Sequence, residues 1–254
     1  MRPLPILLVG ALAVALLFLV LPVVAIFVDV GPGELVRSLD DPASLDALRV
    51  SLEATALALA VILVVGTPVA WLLATRRFPG RRLVETAIEL PLVLPPAVAG
   101  VGLLAALGPE GVVPWFGDSL VFHFAGVVVA LVFVASPFYV RQAQTAFAAL
   151  DPALLAASRT LGAGEGATLW RVAIPVARPA LVSGAALAWG RALGEFGATL
   201  IFAGSFRGIT RTAPLEIFSR LSEDFPGALG LSAVLVAVSA AILLGVKLAD
   251  RPST

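Results

Sequence analysis

Two ionisable residues, Arg191 and Glu195, stand four positions apart in a 28-residue apolar stretch, 179–206, that holds no other charge. At that spacing they share one face of a helix and can pair. At the middle of a membrane span each charge costs about 2.5–3.5 kcal/mol on insertion scales. Such a pair must face a bundle interior or an aqueous path, and the pattern fits either a buried ion pair locking two helices or a pair that supports a pathway or gate. Other reactive chemistry is sparse. The 254 residues include no Cys, one His and one Met, which excludes disulfides and thiolate metal sites. His123 has no second ligand at metal spacing and is assigned no role. No G-x-x-x-x-G-K-[ST] run occurs; Gly162-Ala163-Gly164-Glu165-Gly166 lacks the phosphate-binding lysine, so ATP hydrolysis would fall to a separate subunit. H-E-x-x-H and G-x-S-x-G are also missing, which sets an intramembrane enzyme aside.

The elements that position the pair follow from composition. Hydrophobic residues make up 59% and charged residues 13%, with a mean hydropathy of +1.02. Soluble domains carry about 25% charge, and half of that cannot cover a water-soluble globule. A soluble enzyme, a disordered chain and a nucleic-acid binder resting on net charge are thereby excluded. Five further stretches run without charge between Arg2 and Asp29, Glu53 and Arg76, Glu89 and Glu110, Asp118 and Arg141, and Asp224 and Lys247, each of 20 residues or more. About 20 residues cross a hydrocarbon core as a helix, so six transmembrane helices are expected, the first uncleaved because its apolar run exceeds a signal sequence's. None shows the period-two alternation of a β-barrel. Eleven of the 17 basic residues fall on the side holding the termini and residues 76–89 and 141–178, against five on the other side. Both termini are therefore expected to be cytoplasmic, with Arg76, Arg77, Arg81 and Arg82 as a topological anchor.

The connections carry further signals. Gly31-Pro32-Gly33 opens an outer connection of short helical pieces, and Pro114-Trp115-Phe116 suits an interfacial aromatic anchor. In the cytoplasmic segment 151–178, Asp151 can cap a helix, Pro152 suits its first position, and Leu154, Leu155, Ser158 and Leu161 recur at helical spacing. Gly162 and Gly164 stop that helix, and a second short one fits 165–173, ended before Pro175. Such a pair is either a plain interfacial element or a docking surface for a cytoplasmic partner. Entering the third span, the run Leu90-Pro91-Leu92-Val93-Leu94-Pro95-Pro96 removes backbone donors, so that helix is expected to kink or break near its cytoplasmic end, for packing or to line a pathway. In the fifth span Ala186, Gly190, Gly194 and Ala198 form a small-residue stripe that admits a close neighbour.

The run Ala156-Ala157-Ser158-Arg159-Thr160-Leu161-Gly162, followed after nine residues by Val172-Ala173-Ile174-Pro175, resembles the cytoplasmic EAA loop of binding-protein-dependent ABC importer permeases. It matches at Ala157, Gly162 and Pro175 and departs at Ala156, where the family has Glu, and at Ser158. The 90–100 run is similar to the oxyanion branch of the same family. Gly190-Arg191-Ala192-Leu193-Gly194-Glu195-Phe196-Gly197-Ala198-Thr199 looks like the signature of its molybdate, tungstate and sulfate members. The outer run 208–215 resembles the molybdate and tungstate members more than the sulfate ones.

The resemblance spans 48–249 and implies an all-α, type I (MetI-like) permease. Residues 1–47 then form a first helix and outer loop, 48–249 the permease core, and 250–254 a short cytoplasmic tail. Implied for ATPase coupling are Ala157, Arg159, Leu161, Gly162 and Pro175; implied for the pathway or gate are Pro95, Pro96, Arg191, Glu195 and Thr199. The implied activity is alternating-access import of an oxyanion, molybdate or tungstate, with sulfate or thiosulfate as the alternative and an ATPase-independent secondary transporter more remote. The implied partners are a second copy of the chain, a cytoplasmic ABC ATPase dimer holding ATP and magnesium, an extracytoplasmic oxyanion-binding protein and the lipid of the cell (inner) membrane. No cofactor in this chain and no nucleic acid are implied.

Overall fold

The computed structural model describes residues 3–249, so Arg2, Arg251 and the expected tail 250–254 lie outside the described residues. Every regular element among the described residues is helical. The connection after α1 (Pro3–Asp29) holds α2 (Pro32–Asp40) and leads into the long α3 (Pro42–Thr75). Asp41 caps α3 by accepting from the Ser44 amide at 2.9 Å, and Pro42 sits at a first-turn position that needs no donor. Then come α4 (Arg81–Val93), α5 (Pro96–Leu107), the small α6 (Gly117–Leu120) and α7 (Phe124–Ala148). The segment between α7 and α10 holds α8 (Pro152–Thr160) and α9 (Glu165–Thr168). The last elements are α10 (Ile174–Leu193), α11 (Gly197–Ala203), α12 (Ala213–Arg220) and α13 (Phe225–Ala249).

Helix α7 is the axis of the bundle, with α3 and α10 packed along it. Ile62, Leu131, Tyr139 and Phe147 are buried at these contacts. A Cβ at Gly66 would lie 3.0 Å from the Tyr139 ring, so the glycine sets how closely α3 and α7 approach. The Tyr139 hydroxyl donates to Thr67 Oγ1 at 2.7 Å, because the threonine's own hydrogen goes to the Leu63 carbonyl. That bond satisfies the one polar atom of a deeply buried ring. Trp71 meets Phe147 edge-to-face, centroids 5.4 Å apart.

Among the described residues, five helices are long and apolar enough to cross a membrane: Leu7–Asp29, Pro42–Thr75, Phe124–Ala148, Glu165–Leu193 and Phe225–Val246. The expected third span is not one helix. It is divided at Leu94-Pro95, and α5, with 12 residues, reaches only about 18 Å. Pro95 and Pro96 supply no donors to the preceding turn, so α4 ends and α5 restarts with Pro96 at its first position.

The fifth span departs from expectation twice. Its helix does not end before Pro175: α9 runs through a wider π turn at Leu169–Ala173 directly into α10. The Ile174 amide bonds to Leu169 O, five residues back, and this looser turn absorbs the donor that Pro175 lacks. At the other end α10 stops at Leu193, and α11 restarts at Gly197. The small-residue stripe is therefore not continuous. Ala186 and Gly190 lie on α10, Gly194 caps it, and Ala198 belongs to α11.

Candidate functional site

The segment 152–168 projects as a bare helix pair. No residue of α8 is buried, and Leu161 at its end is 88% exposed. Asp151 accepts from the Ala153 amide at 2.8 Å and Pro152 opens the helix, as their types dictate. The helix closes on Gly162 at φ +84°, its amide bonded to Arg159 O at 2.9 Å and the Ala163 amide to Ser158 O at 3.1 Å. Only glycine holds that left-handed geometry without strain. Ser158 and the buried Thr168 join α8 to α9 through their hydroxyls at 3.1 Å. Leu154, Ala157, Ser158, Leu161 and Gly162 line one side of an open groove, and Ala167, Arg171 and Val172 line the other. Arg159 is exposed on the same helix pair, and Pro175 lies at the start of α10, behind the groove.

Ion pairs fasten this segment and α4 to the bundle. Arg76, capping the end of α3, pairs with Glu165 at the start of α9, and the guanidinium's hydrogen bond holds the Glu165 carboxyl below its usual range. On α4, Glu85 accepts from Gln144 at 2.7 Å and from Arg81 at 3.0 Å; these bonds, Gln144's foremost, likewise lower its pKa. Arg141 reaches Glu89 at 2.8 Å. The expected anchor of arginines is thus partly a fastening: Arg76 ties the end of α3 to α9, while Arg81 pairs within α4.

Deeper in the bundle the two helix breaks lie side by side. A Cβ at Gly197 would stand 2.8 Å from Pro96 Cβ, and one at Gly100 would stand 2.8 Å from Ile201 Cβ and 3.0 Å from Ala198 O. The first turns of α5 and α11 therefore touch, backbone almost on backbone. Arg191 Nη2 pairs with Glu195 Oε2 at 2.6 Å, and Glu195 Oε1 accepts from the Ala198 amide at 2.8 Å. Glu195 is 1% exposed, so it has exchanged water for an ion pair and one fixed donor: it neutralises Arg191 and accepts from the first turn of α11 at once. Arg191 keeps 29% of its side chain open. Pro95 and Pro96 are exposed, whereas Thr199 is fully buried with no partner for its hydroxyl among the described residues. Of the five expected pathway residues, the fold pairs Arg191 with Glu195 and sets Pro96 against the turn that joins Glu195 to Thr199.

Gly100 and Gly197 make the contact between the breaks; both lie within the runs 90–100 and 190–199 that carry the family resemblance, but neither was among the expected site residues, because their role is in packing. At the end of the bundle opposite α8, Arg220 reaches Glu216 at 2.6 Å and also pairs with Asp41, while Arg211 reaches Glu216 at 3.2 Å. This ties α12 to the start of α3. Burial pushes the Asp41 carboxyl up, but Arg220 and the amide and hydroxyl of Ser44 outweigh it and hold its pKa at about 2. Trp115 is 78% exposed beside the short turn Pro114–Phe116, in keeping with an interfacial anchor. His123 bonds through Nδ1 to its neighbour's carbonyl, Val121 O, at 2.8 Å.

Known proteins share this architecture and sequence. A molybdenum transport system permease protein ModB of Mycobacterium tuberculosis is 40% identical over 235 residues, 91% of this chain and 89% of that protein. A probable sulfate transport system permease protein, cysT of Chlorokybus atmophyticus, is 38% identical over 190 residues, 72% of this chain and 65% of that protein. Among solved structures, a bacterial alginate ABC transporter in complex with an alginate pentasaccharide-bound periplasmic protein superposes with a TM-score of 0.77 at 17% identity, covering 98% of this chain and 93% of the other. It establishes the fold, that of a type I ABC importer permease. Residues 66–251 match the family described as the binding-protein-dependent transport system inner membrane component, and it is to this family of multi-pass membrane permeases that the chain belongs.

Proposed function

We propose that the chain is the transmembrane subunit of an ATP-driven importer that moves molybdate into the cell by alternating access. One observation carries the mechanism. The helix Glu165–Leu193 runs unbroken for 29 residues, about 43 Å, from the cytoplasmic groove to the Arg191–Glu195 pair. A push on the groove side of Gly162 is delivered as a rigid-body movement to the break, where α5 and α11 meet. The cytoplasmic partner is an ABC ATPase dimer that binds ATP and magnesium, seated on Ala157, Arg159 and the bare Leu161. A second copy of the chain completes the membrane unit, because the open part of Arg191 needs protein or an aqueous path, not lipid, beside it. A substrate-binding protein delivers the anion from outside, in line with the periplasmic protein of the alginate transporter. Both termini then lie in the cytoplasm, and the divided α4–α5 stretch makes a sixth crossing.

The ModB relative supports molybdate; the cysT relative keeps sulfate as the second reading. In proteoliposomes holding this chain, its ATPase and its binding protein, ATP-dependent uptake of molybdate is expected to exceed that of sulfate. Gly162→Val, a β-branched residue at φ +84°, is expected to leave membrane insertion intact and abolish that uptake. Normal uptake by this variant, or transport by the chain reconstituted alone, refutes the reading.

A further inference from the structure

The Arg191–Glu195 pair is built for more than locking helices, and its geometry separates two roles within it. Glu195 is held at both oxygens: Oε2 lies 2.6 Å from Arg191 Nη2 in an ion pair, Oε1 accepts from the Ala198 amide, and the side chain is sealed from solvent. Arg191 is not. Its contact to Glu195 is through Nη2, and the rest of its fork of N–H donors has no acceptor among the described residues. The surface beside it is bare. A Cβ at Gly190 would meet nothing within 4 Å, and one at Gly194 would meet only Gly190 O at 3.6 Å, so the backbone just before Arg191 and three residues after it borders open space. Both glycines are exposed, as are Pro95 and Pro96 of the neighbouring break. Across the six apolar stretches Arg191 is the single Lys or Arg.

Resting on the uptake reading above, we propose that Arg191 is the transient contact for a tetrahedral oxyanion crossing the membrane, and that Glu195 keeps this contact weak enough to release. An unpaired guanidinium in a low-dielectric passage would hold a dianion too tightly to let it go, because charge-assisted bonds strengthen as water is excluded. A permanent carboxylate at 2.6 Å sets the pair's net charge to zero and opposes the incoming anion. The anion then binds through the free N–H groups without displacing Glu195, which stays fastened by the Ala198 amide. Conduction needs such a compromise between entry and exit. Glu195 acts through Arg191 and is a positioning residue; Arg191 touches the cargo.

The test measures two quantities on the assembled complex: the rate of molybdate uptake at saturating loaded binding protein, and the radiolabelled molybdate retained by the permease dimer when the binding protein is absent. Arg191→Ala is expected to lower uptake and retention together by at least about tenfold, the loss of a charged hydrogen bond, with Arg191→Lys intermediate. Glu195→Gln keeps an acceptor for the Ala198 amide and removes the opposing charge. It is expected to lower uptake while raising retention. Opposite movements of retention in the two variants are the signature, since a purely structural pair would lose both quantities in both variants. Should either charge variant fail to assemble, Gly190→Leu leaves the pair intact and fills the open space, and is expected to lower both quantities. Retention moving the same way in Arg191→Ala and Glu195→Gln, or a Gly190→Leu complex with unchanged retention, overturns the proposal. A wild-type complex that takes up neither molybdate nor sulfate would instead overturn the uptake reading on which it rests.

Discussion

Two helix breaks lie against one another in the bundle, and they are made by different means. Between α4 and α5 the interruption is covalent: Pro95 and Pro96 have no amide hydrogen to give, and no rearrangement of the surroundings restores it. Between α10 and α11 there is no proline. Gly194, Glu195 and Phe196 leave helical geometry, and the Glu195 carboxylate takes the Ala198 amide that would otherwise bond up the chain. The first break is a property of its own residues. The second is conditional, because it depends on a side chain whose position is set by Arg191. On the proposed mechanism the first break is the stator and the second the moving part, since the second is joined to the groove beside Gly162 by a continuous helix.

The contrast is most exposed at Glu195. Glu195→Ala removes the acceptor for the Ala198 amide and the counter-charge and strands the guanidinium, a loss of about 3–5 kcal/mol for breaking a buried pair. Pro95→Ala, at an exposed position with Pro96 still in place, is expected to cost less than about 1 kcal/mol. Thermal unfolding of the detergent-solubilised protein distinguishes them; equal losses would mean that both breaks are held the same way. A smaller effect is expected where the breaks touch. Gly100→Val places a side chain against Ala198 O and Ile201 and is expected to cost about 1–3 kcal/mol by overpacking. Gly102→Ala, with nothing within 4 Å of its Cβ, is the matched control and is expected to leave the melting temperature unchanged. A tolerated Gly100→Val would show that α5 and α11 part easily.

The smallest effect belongs to the Asp41–Arg220 tie, far from either break. The folded Asp41 pKa, about 2, lies below its ordinary value of 3.8. Its contribution is therefore complete above about pH 4 and is lost as the pH falls from there toward 2. Asp41→Asn is expected to flatten this part of the stability–pH curve and to leave the Glu195→Ala difference untouched at neutral pH. A changed Glu195→Ala difference in that background would mean that the Asp41–Arg220 tie and the conditional break are coupled.

Much of this was legible in the residues. Asp151, Pro152 and Gly162 mark the start and stop of α8 because capping and left-handed geometry are local chemistry. The break at Pro95 is legible for the same reason. Arg191 and Glu195 announced a pair by spacing alone, and the pair forms as expected. The end of α10 was not legible, since Gly194-Glu195-Phe196 reads as continuing helix until a buried carboxylate is placed to accept from the first turn of the next one. Nor was the passage of the helix through Pro175. A proline reads as a stop unless a wider turn is available, and whether one is available depends on how Leu169 and Ala173 pack.

By itself the sequence determined that this chain lives in a membrane and where one span must break, because hydrophobicity and the missing proline donor belong to individual residues. Only the tertiary structure decided that a second break lies beside the first, that Gly100 and Gly197 bring them into contact, and that Glu195 is sealed while Arg191 stays open. Those facts concern which surfaces meet. Burial and the satisfaction of a charge are set by neighbours distant in sequence, and no spacing along one helix specifies them.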